Sequence, residues 1–176
     1  MASSLIGGLI QKNIIQPQSI HLFDPDTTKC QSLADELGIN VANDNRALVK
    51  DCDVIVVAVK PQVMRQVIEP ISAELIAHHP LLISVAAGIE SSSIISWAKY
   101  DLPVVRVMPN TPALIGKGAS GLYANEFVTI AQRELTEHLV SSVGIARWVE
   151  SESDIDLVTA LSGSCLLYTS DAATIA

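Results

Sequence analysis

The chain has 176 residues, of which 49% are hydrophobic, and its mean hydropathy is +0.37. This composition excludes a largely disordered chain, and the length suits one domain with a hydrophobic core. The formal net charge of −8 argues against a nucleic-acid binder, which needs a basic face for phosphate contacts.

Membrane insertion, metal binding and disulfide formation are also disfavoured by the sequence. No apolar run approaches the ~20 residues that span a bilayer, and the first residues lack the basic start of a secretory signal. The three cysteines have no metal-ligand or redox spacing, and the adjacent His78 and His79 suit a surface turn before Pro80. We therefore expect a soluble, cytoplasmic protein without a metal.

The first predicted element is a helix over residues 2–12. Leu5 and Leu9 lie on one face of it, at helical spacing. Gly7 and Gly8 fall in the middle of this helix, where glycine lowers helix stability. We interpret both glycines as sites of close helix packing.

Short strands and helices alternate after this helix. Asp26 or Thr27 is suited to cap the next helix, and Gly38 stands where a C-terminal cap glycine belongs. Asn43 or Asn45 is suited to cap the helix after that. The predicted elements are a strand at 20–23, a helix ending near 37, a strand at 39–41 and a helix at 44–50.

A continuous β-branched run over residues 53–59 is typical of a central parallel strand covered on both faces. Pro61 then suits the first turn of a helix that extends to about Ala77. The later predicted elements are strands at 81–86 and 104–108, a helix at 91–99, a loop and antiparallel strand at 116–125, a helix at 126–142, a strand at 144–149 and a helix from 153 to about 161.

This alternation predicts an α/β fold with a mostly parallel sheet and right-handed crossovers. Such sheets bind ligands at the carboxyl ends of their strands. Three strand ends carry small residues or prolines where the chain leaves the sheet, at residues 58–61, 85–88 and 108–112. Small residues allow a flat ligand to approach the backbone, so these three segments predict a ligand site.

Five motifs, in this order, resemble the pyrroline-5-carboxylate reductase family. They are AVKPQ at 58–62, SVAAGI at 84–89, RVMPNTP at 106–112, SSVG at 141–144 and LSGS at 161–164. The resemblance implies a Rossmann-like, doubly wound fold that binds a nicotinamide dinucleotide.

The resemblance also implies a reaction. A hydride passes from NAD(P)H to the ring imine of 1-pyrroline-5-carboxylate and gives L-proline, the last step of proline biosynthesis. The protein supplies orientation and excludes water, while the cofactor carries the chemistry. No residue stands out as an acid–base group, so the catalytic residues are left unknown.

The family implies which residues lie against the cofactor. Residues 58–61 are expected near its ribose and diphosphate, residues 86–88 beneath the nicotinamide, and residues 108–111 beside the nicotinamide and the substrate. Asn45 matches a position on the adenosine side. The predicted cofactor-binding residues are Asn45, Ala58, Val59, Lys60, Pro61, Ala86, Ala87, Gly88, Met108, Pro109, Asn110 and Thr111.

The choice of cofactor has two signals that disagree. Asp24, at the end of the second family strand, favours NADH because an acid there binds a ribose 2′-hydroxyl and repels a 2′-phosphate. Many family members use NADPH, and Thr27, Thr28 and Lys29 are placed to accept a phosphate. We expect NADPH, with NADH possible. Asp24 is equally suited to begin the turn at Pro25.

The chain departs from the family pattern at both ends. Met1 corresponds to a position just after the first strand and glycine-rich turn of the family, so we expect the domain to lack both. We expect a cofactor-binding domain over residues 1–161. Residues 162–176 are expected to be the start of an interdomain helix and an aberrant tail, with the C-terminal dimerisation domain of a homo-oligomeric parent absent. We therefore expect a fragment that is unstable, prone to association and inactive alone.

Two other functions are compatible with the same fold. The first is another NAD(P)-dependent dehydrogenase, of the β-hydroxyacid or prephenate type, which would carry a catalytic Lys or His in a distinct context. The second is a nucleotide-binding module without chemistry, which fold alone does not exclude. The motif at residues 108–112 favours the reductase.

Overall fold

The strands of this computed structural model, which describes residues 2–163, form two separate sheets. A two-stranded parallel sheet has the order β1-β2, and a five-stranded sheet has the order β3-β4-β5-β6-β7. The single antiparallel pairing in the larger sheet joins β5 to β6. The strands are β1 His21–Leu22, β2 Asn40–Val41, β3 Val54–Val57, β4 Leu81–Ser84, β5 Val104–Met108, β6 Gly118–Ala124 and β7 Gly144–Trp148.

Helices connect most of these strands. Within residues 2–163, none of them is long and apolar enough to cross a membrane. The α-helices are α1 Ala2–Gln11, α2 Thr27–Leu37, α3 Asn45–Asp51, α4 Met64–Ile68, α5 Ser72–His78, α6 Ser91–Ala98, α7 Ile130–Val140 and α8 Asp154–Val158. The expected α/β class, a Rossmann-like and mostly parallel sheet, is confirmed. Of the predicted interdomain start and tail at 162–176, residues 164–176 lie outside the described residues.

Capping residues mark the ends of α2 and the start of α3. The carboxylate of Asp26 accepts a hydrogen bond from the Lys29 N–H at the start of α2, and Gly38 ends that helix with φ 70°. The expected cap of α3 was wrong. Asp44, rather than Asn43 or Asn45, caps it by accepting from the Ala47 N–H at 2.7 Å. An acid at this position also interacts favourably with the helix dipole.

Two predicted helices are shorter than expected. The helix predicted from Pro61 to about Ala77 is divided into two 3-10 turns and two α-helices, α4 and α5. Pro70 lies between α4 and α5, and it lacks the N–H that a continuous helix would use. The helix predicted from residue 126 begins instead at Ile130, because Thr129 and Gln132 form a capping box there.

The position of β3 differs from its predicted central place in a sheet. This strand is at the edge of the five-stranded sheet. Ile55 and Val57 are buried against one face, whereas Val54 and Val56 are only half-buried. On the side away from β4, this β-branched run borders a groove instead of a second strand.

Three apolar clusters hold the described residues together. The largest covers one face of the five-stranded sheet, where α4, α5 and α6 pack on β3 and β4. A second cluster covers the opposite face, where α1 and α7 pack on β4, β5 and β6. The third is small and joins α1 and α2. The sheet is therefore covered on both faces, as a doubly wound fold requires.

The two glycines of α1 have different surroundings. A Cβ on Gly8 would lie 2.7 Å from Cγ1 of Val143 and 3.0 Å from the carbonyl oxygen of Ser142. A Cβ on Gly7 would meet nothing within 4 Å. The interpretation as a close-packing glycine is confirmed for Gly8 and wrong for Gly7.

Candidate functional site

The three unusual strand ends lie side by side at the edge of the five-stranded sheet that is formed by the carboxyl ends of β3, β4 and β5. Val57 of β3 pairs with Ser84 of β4, and Ser84 pairs with Arg106 of β5. The chain leaves the sheet just beyond these paired positions in all three strands. The structure thereby brings every predicted site residue except Asn45 to a single edge, while their role in cofactor binding stays a prediction.

The solvent exposure of the predicted site residues differs from one to the next in a way that suits a flat ligand ring. Ala86 is buried, Met108 and Asn110 are half-buried, and Gly88 and Lys60 are exposed. Small, partly covered side chains beneath an open surface leave room for a flat ligand to contact the backbone. This combination is typical of the floor of a ligand site.

The backbone at two of the strand ends is fixed by specific features. Gly88 has φ 70°, a conformation that a residue with a Cβ adopts only with strain, although the space around it is open. The side chain of Asn110 accepts a hydrogen bond from the Ala119 N–H at 2.9 Å and thereby attaches its loop to β6. Ala86 donates its N–H to Ser84 Oγ at 3.4 Å.

Asn45 lies in a different depression of about 220 Å³. Phe23, which follows β1, and Pro70, which follows α4, line the same depression. Because Phe23 follows the carboxyl end of β1, this depression is compatible with the predicted adenosine side.

Asp24 has two partners in the described structure. Its Oδ1 accepts from the Asp26 N–H at 2.9 Å, and its Oδ2 lies 4.0 Å from the Lys29 ammonium. The carboxylate therefore supports the turn before α2, as one of the two interpretations predicted, and its charge lies next to a cation.

A carboxylate that the sequence analysis missed links two of the strand ends. Glu152 accepts hydrogen bonds from the Ser91 N–H at 2.6 Å, from Ser91 Oγ at 2.8 Å and from Arg106 Nη1 at 3.1 Å. Ser91 follows Gly88 by three residues, and Arg106 precedes Met108 by two. We call Ser91, Arg106 and Glu152 the Glu152 clamp.

Arg106 is the most buried side chain of the charged groups in and beside the Glu152 clamp. Arg106 has only 2% of its side chain exposed, and a second acid, Asp156, lies 3.6 Å from its Nη2. An unpaired guanidinium there would be strongly destabilising, so the acids of α8 and the preceding turn neutralise it. The one sequence signal for this clamp was an arginine inside an otherwise apolar strand.

The clamp also affects Tyr123, which pairs with Arg106 across β5 and β6. Burial raises the pKa of Tyr123, and the charges of Glu152 and Glu126 raise this pKa further, while Arg106 lowers it. The ionisation of this phenol is therefore expected to respond to the charges of the clamp.

Comparison with known proteins gives the family. A family model described as "NADP oxidoreductase coenzyme F420-dependent" matches residues 1–88, which is half of the chain. The chain belongs to this oxidoreductase family. Residues 1–88 include β1 to β4 and two of the three strand ends at the site.

Several proteins that resemble the chain over most of its length share one name. A pyrroline-5-carboxylate reductase from Pseudomonas aeruginosa is 46% identical over 168 residues, which are 96% of this chain and 61% of the relative. The structure of such a reductase from Coxiella burnetii is 35% identical with a TM-score of 0.90, and covers 96% of this chain and 62% of its own. The resemblance to these reductases is confirmed.

A third relative was solved with a cofactor. The pyrroline carboxylate reductase of Plasmodium falciparum, with NADP bound, is 30% identical with a TM-score of 0.80, and the match covers 95% of this chain and 60% of the other. The chain therefore spans about three fifths of the length of the relatives that it matches.

Proposed function

We propose that this chain forms the cofactor side of a pyrroline-5-carboxylate reductase. The observation that carries the proposal is the meeting of three strand ends at one sheet edge, in a chain 46% identical to a curated reductase of that name. The reaction is transfer of a hydride from NAD(P)H to the imine carbon of 1-pyrroline-5-carboxylate. The imine reacts in its protonated form: the hydride adds to carbon, the C=N π electrons move to the ring nitrogen, which keeps its proton, and the products are L-proline and NAD(P)⁺.

The residues at this edge fit a nicotinamide dinucleotide. A nicotinamide dinucleotide supplies the hydride when bound, and the protein supplies orientation and electrostatics. Ala86 and Ala87 offer a small apolar floor, Gly88 offers open backbone, and Asn110 is held in place by its bond to Ala119. Within the proposal, residues 58–61 contact the ribose and diphosphate, and Met108, Pro109 and Thr111 border the substrate.

We further propose that NADPH is preferred to NADH. The carboxylate of Asp24 already accepts a backbone hydrogen bond and lies next to Lys29, so it is poorly placed to bind a ribose hydroxyl. The exposed Lys29 ammonium and the N–H groups of Thr27 and Thr28, which precede the capped Lys29 N–H, are placed for a 2′-phosphate. Replacing Lys29 with Met is expected to weaken NADPH binding about tenfold and to leave NADH binding unchanged. Isothermal titration with both cofactors tests this, and equal losses for the two would contradict it.

The reductase activity is best tested in a chimera. Residues 1–161 of this chain replace the matching segment of the Pseudomonas aeruginosa relative, which supplies the rest of that protein. We expect the chimera to oxidise NADPH in the presence of 1-pyrroline-5-carboxylate and to form proline. A chimera that folds and binds NADPH but forms no proline would refute the proposed reaction and favour a binding module.

The same two properties, NADPH binding and proline formation, are measured for the unmodified chain. We expect it to bind NADPH weakly and to form no proline alone. Substitution of Ala87 by Trp, which fills the floor of the site, is expected to abolish cofactor binding in both proteins. Proline formation by the unmodified chain would overturn the proposed division of the domain at residue 161.

A further inference from the structure

The floor of the proposed nicotinamide site lies on a short loop, residues 85–90, between β4 and α6. The loop precedes Ser91, the first residue of α6. At its first end, the Val85 N–H donates to the Val57 carbonyl at 3.3 Å, which ties the loop to β3. The position of Gly88 therefore depends on what holds the other end of the loop, at Ser91.

A carboxylate from a distant part of the chain holds that other end. Glu90, which precedes α6, gives no side-chain cap to this helix. Glu152, 61 residues after Ser91, binds there instead: its Oε1 accepts from the Ser91 N–H at 2.6 Å, and its Oε2 accepts from Ser91 Oγ at 2.8 Å. Hydrogen bonds to a charged acceptor are stronger than those to a neutral one. Both oxygens of one carboxylate thus fix the residue at which the loop ends.

The same carboxylate also binds β5. Glu152 Oε1, which accepts from the Ser91 N–H, accepts from Arg106 Nη1 at 3.1 Å as well. Side chains alternate along a strand, so Arg106 and Met108 lie on one face of β5. One oxygen atom therefore joins the loop that carries Gly88 to the strand that carries Met108.

The guanidinium of Arg106 depends on Glu152 for its orientation. The Arg106 side chain is 2% exposed, and its Nε and Nη2 have no hydrogen-bond partner within residues 2–163. Asp156 lies 3.6 Å from Nη2 with 65% of its side chain exposed, so it contributes charge but no hydrogen bond. Glu152, with 23% of its side chain exposed, is the better shielded of the two acids. Its bond to Nη1 is thus the contact that fixes the direction of this buried cation.

We propose that Glu152 is a positioning residue for hydride transfer, an inference that rests on the proposed function. Glu152 sets the spacing between the loop under the nicotinamide, residues 86–88, and the segment beside the substrate, residues 108–111. Hydride transfer needs the two reacting carbons about 3–3.5 Å apart, and a displacement of about 1 Å lowers the rate up to about a hundredfold. Glu152 acts through Ser91 and Arg106, and it exchanges no proton with the substrate.

Ser91→Pro separates the loop from the clamp without changing any charge. The Ser91 N–H stands at the first position of α6, where the helix does not use it and proline is tolerated. Glu90 has ψ 151°, an extended conformation that suits the residue before a proline. The substitution removes both donors to Glu152, and Arg106 keeps its partner. Ser91→Ala removes the hydroxyl alone and keeps the N–H bond.

The first measurement uses the full chain, saturated with NADPH, and needs no turnover. Isothermal titration gives the affinity, and the decay of fluorescence anisotropy gives the motion of the bound nicotinamide ring. We expect Ser91→Pro to change the affinity by less than about threefold, because the contacts proposed for the adenosine and diphosphate lie elsewhere. We expect it to add a nanosecond motion of the ring that the unsubstituted chain lacks. Glu150→Gln, an exposed acid two residues before Glu152, is the control and is expected to change neither quantity.

The second measurement is turnover by the chimera that tests the proposed function. We expect Ser91→Pro to lower kcat about tenfold and Ser91→Ala about threefold, with KM for NADPH changed less than about twofold. The kinetic isotope effect with NADPH deuterated at the transferred position is expected to rise in both variants, because hydride transfer becomes the slower step. An unchanged isotope effect together with an unchanged ring motion would show that the clamp only stabilises the fold, which would overturn the proposal.

Asp156→Asn separates position from charge. It removes an acid beside Arg106 but leaves the bonds between Glu152 and Ser91. Because Asp156 is 65% exposed, we expect kcat to fall less than about twofold. A loss as large as that of Ser91→Pro would show that the clamp acts by its charge on the nicotinamide, which becomes positive as the hydride leaves, and not by position.

The reaction and the role of Glu152 fail in different ways. If the unsubstituted chimera forms no proline, the proposed reaction is refuted and this inference with it. If the unsubstituted chimera forms proline and both Ser91 variants keep its kcat, only the role of Glu152 is refuted. If Ser91→Pro does not fold, Ser91→Ala, which keeps the backbone N–H, decides by the same two measurements.

Discussion

At the scale of single residues, the two glycines of α1 offer a matched pair. Gly8→Ala is expected to destabilise the fold by about 1–3 kcal/mol, because its Cβ would meet Val143 and the Ser142 carbonyl. Gly7→Ala, in open space on the same helix, is expected to stabilise it by about 0.5–1 kcal/mol. Urea denaturation of the two variants measures the difference. Equal effects would contradict the packing role of Gly8.

The Glu152 clamp supports a second prediction at this scale. Glu152→Gln removes a charge that raises the pKa of Tyr123 and leaves Arg106 to lower it, so this pKa is expected to fall. Glu150→Gln, two residues earlier, serves as the control and is expected to leave Tyr123 unchanged. Alkaline titration of tyrosinate absorbance, with Tyr123→Phe as the reference, makes the measurement. An unchanged pKa in the Glu152 variant would show that the clamp does not reach the phenol.

The Tyr123 phenol also determines the direction in which one contribution to folding stability changes with pH. Because the pKa of Tyr123 is raised in the folded state, its neutral form favours folding at pH below the ordinary tyrosine pKa. That contribution is lost as the pH rises above this value. We expect Tyr123→Phe to lessen the loss of thermal stability at alkaline pH, which calorimetry at several pH values tests.

At the scale of elements, substitutions next to the N-terminus of α3 test which residue caps this helix. Asp44→Ala is expected to destabilise the protein by about 1 kcal/mol because the Ala47 N–H loses its acceptor. Asn43→Ala, the neighbouring residue that the sequence also offered as a cap, is expected to change stability by less than about 0.5 kcal/mol. Thermal unfolding of both variants distinguishes them, and the reverse order would restore Asn43 as the cap.

The elements also show how far the sequence alone predicts this structure. The strands, the three strand ends at one edge and the glycine cap at Gly38 follow from local patterns, since hydrophobic periodicity and turn residues act over short distances. Asp44 has a neighbour of a suitable cap type on each side, so which of the three residues caps α3 depends on the direction in which the chain enters the helix. The Glu152 clamp joins Ser91 and Arg106 across 61 and 46 residues, and no local pattern encodes such a contact.

The edge position of β3 could not be predicted from its own residues. A β-branched run is typical of a strand covered on both faces, and residues 54–57 are covered by helices on both faces. Whether helices cover the faces of a strand and whether other strands pair with its edges are separate properties. The sequence pattern of a strand indicates only whether its faces are covered.

At the scale of the whole molecule, the two sheets divide the described residues into units of unequal size. The segment of β1, α2 and β2 has a small apolar cluster that includes Ala34 and Ile39, whereas the five-stranded sheet has a large cluster on each face. We expect the smaller unit to open at a lower free energy than the larger one. Native-state hydrogen exchange tests this by comparing amides of α2 with those of β4. Equal opening free energies would show that the two sheets unfold together.

The order of the larger sheet has a consequence for how the chain folds. Its five strands are neighbours in the same order in which they occur in the sequence. Each new strand therefore pairs with the strand that precedes it in the chain, through a single connection, and no pairing in this sheet has to wait for a strand that is made later. During synthesis the sheet can grow from β3 towards β7 strand by strand as each one emerges from the ribosome.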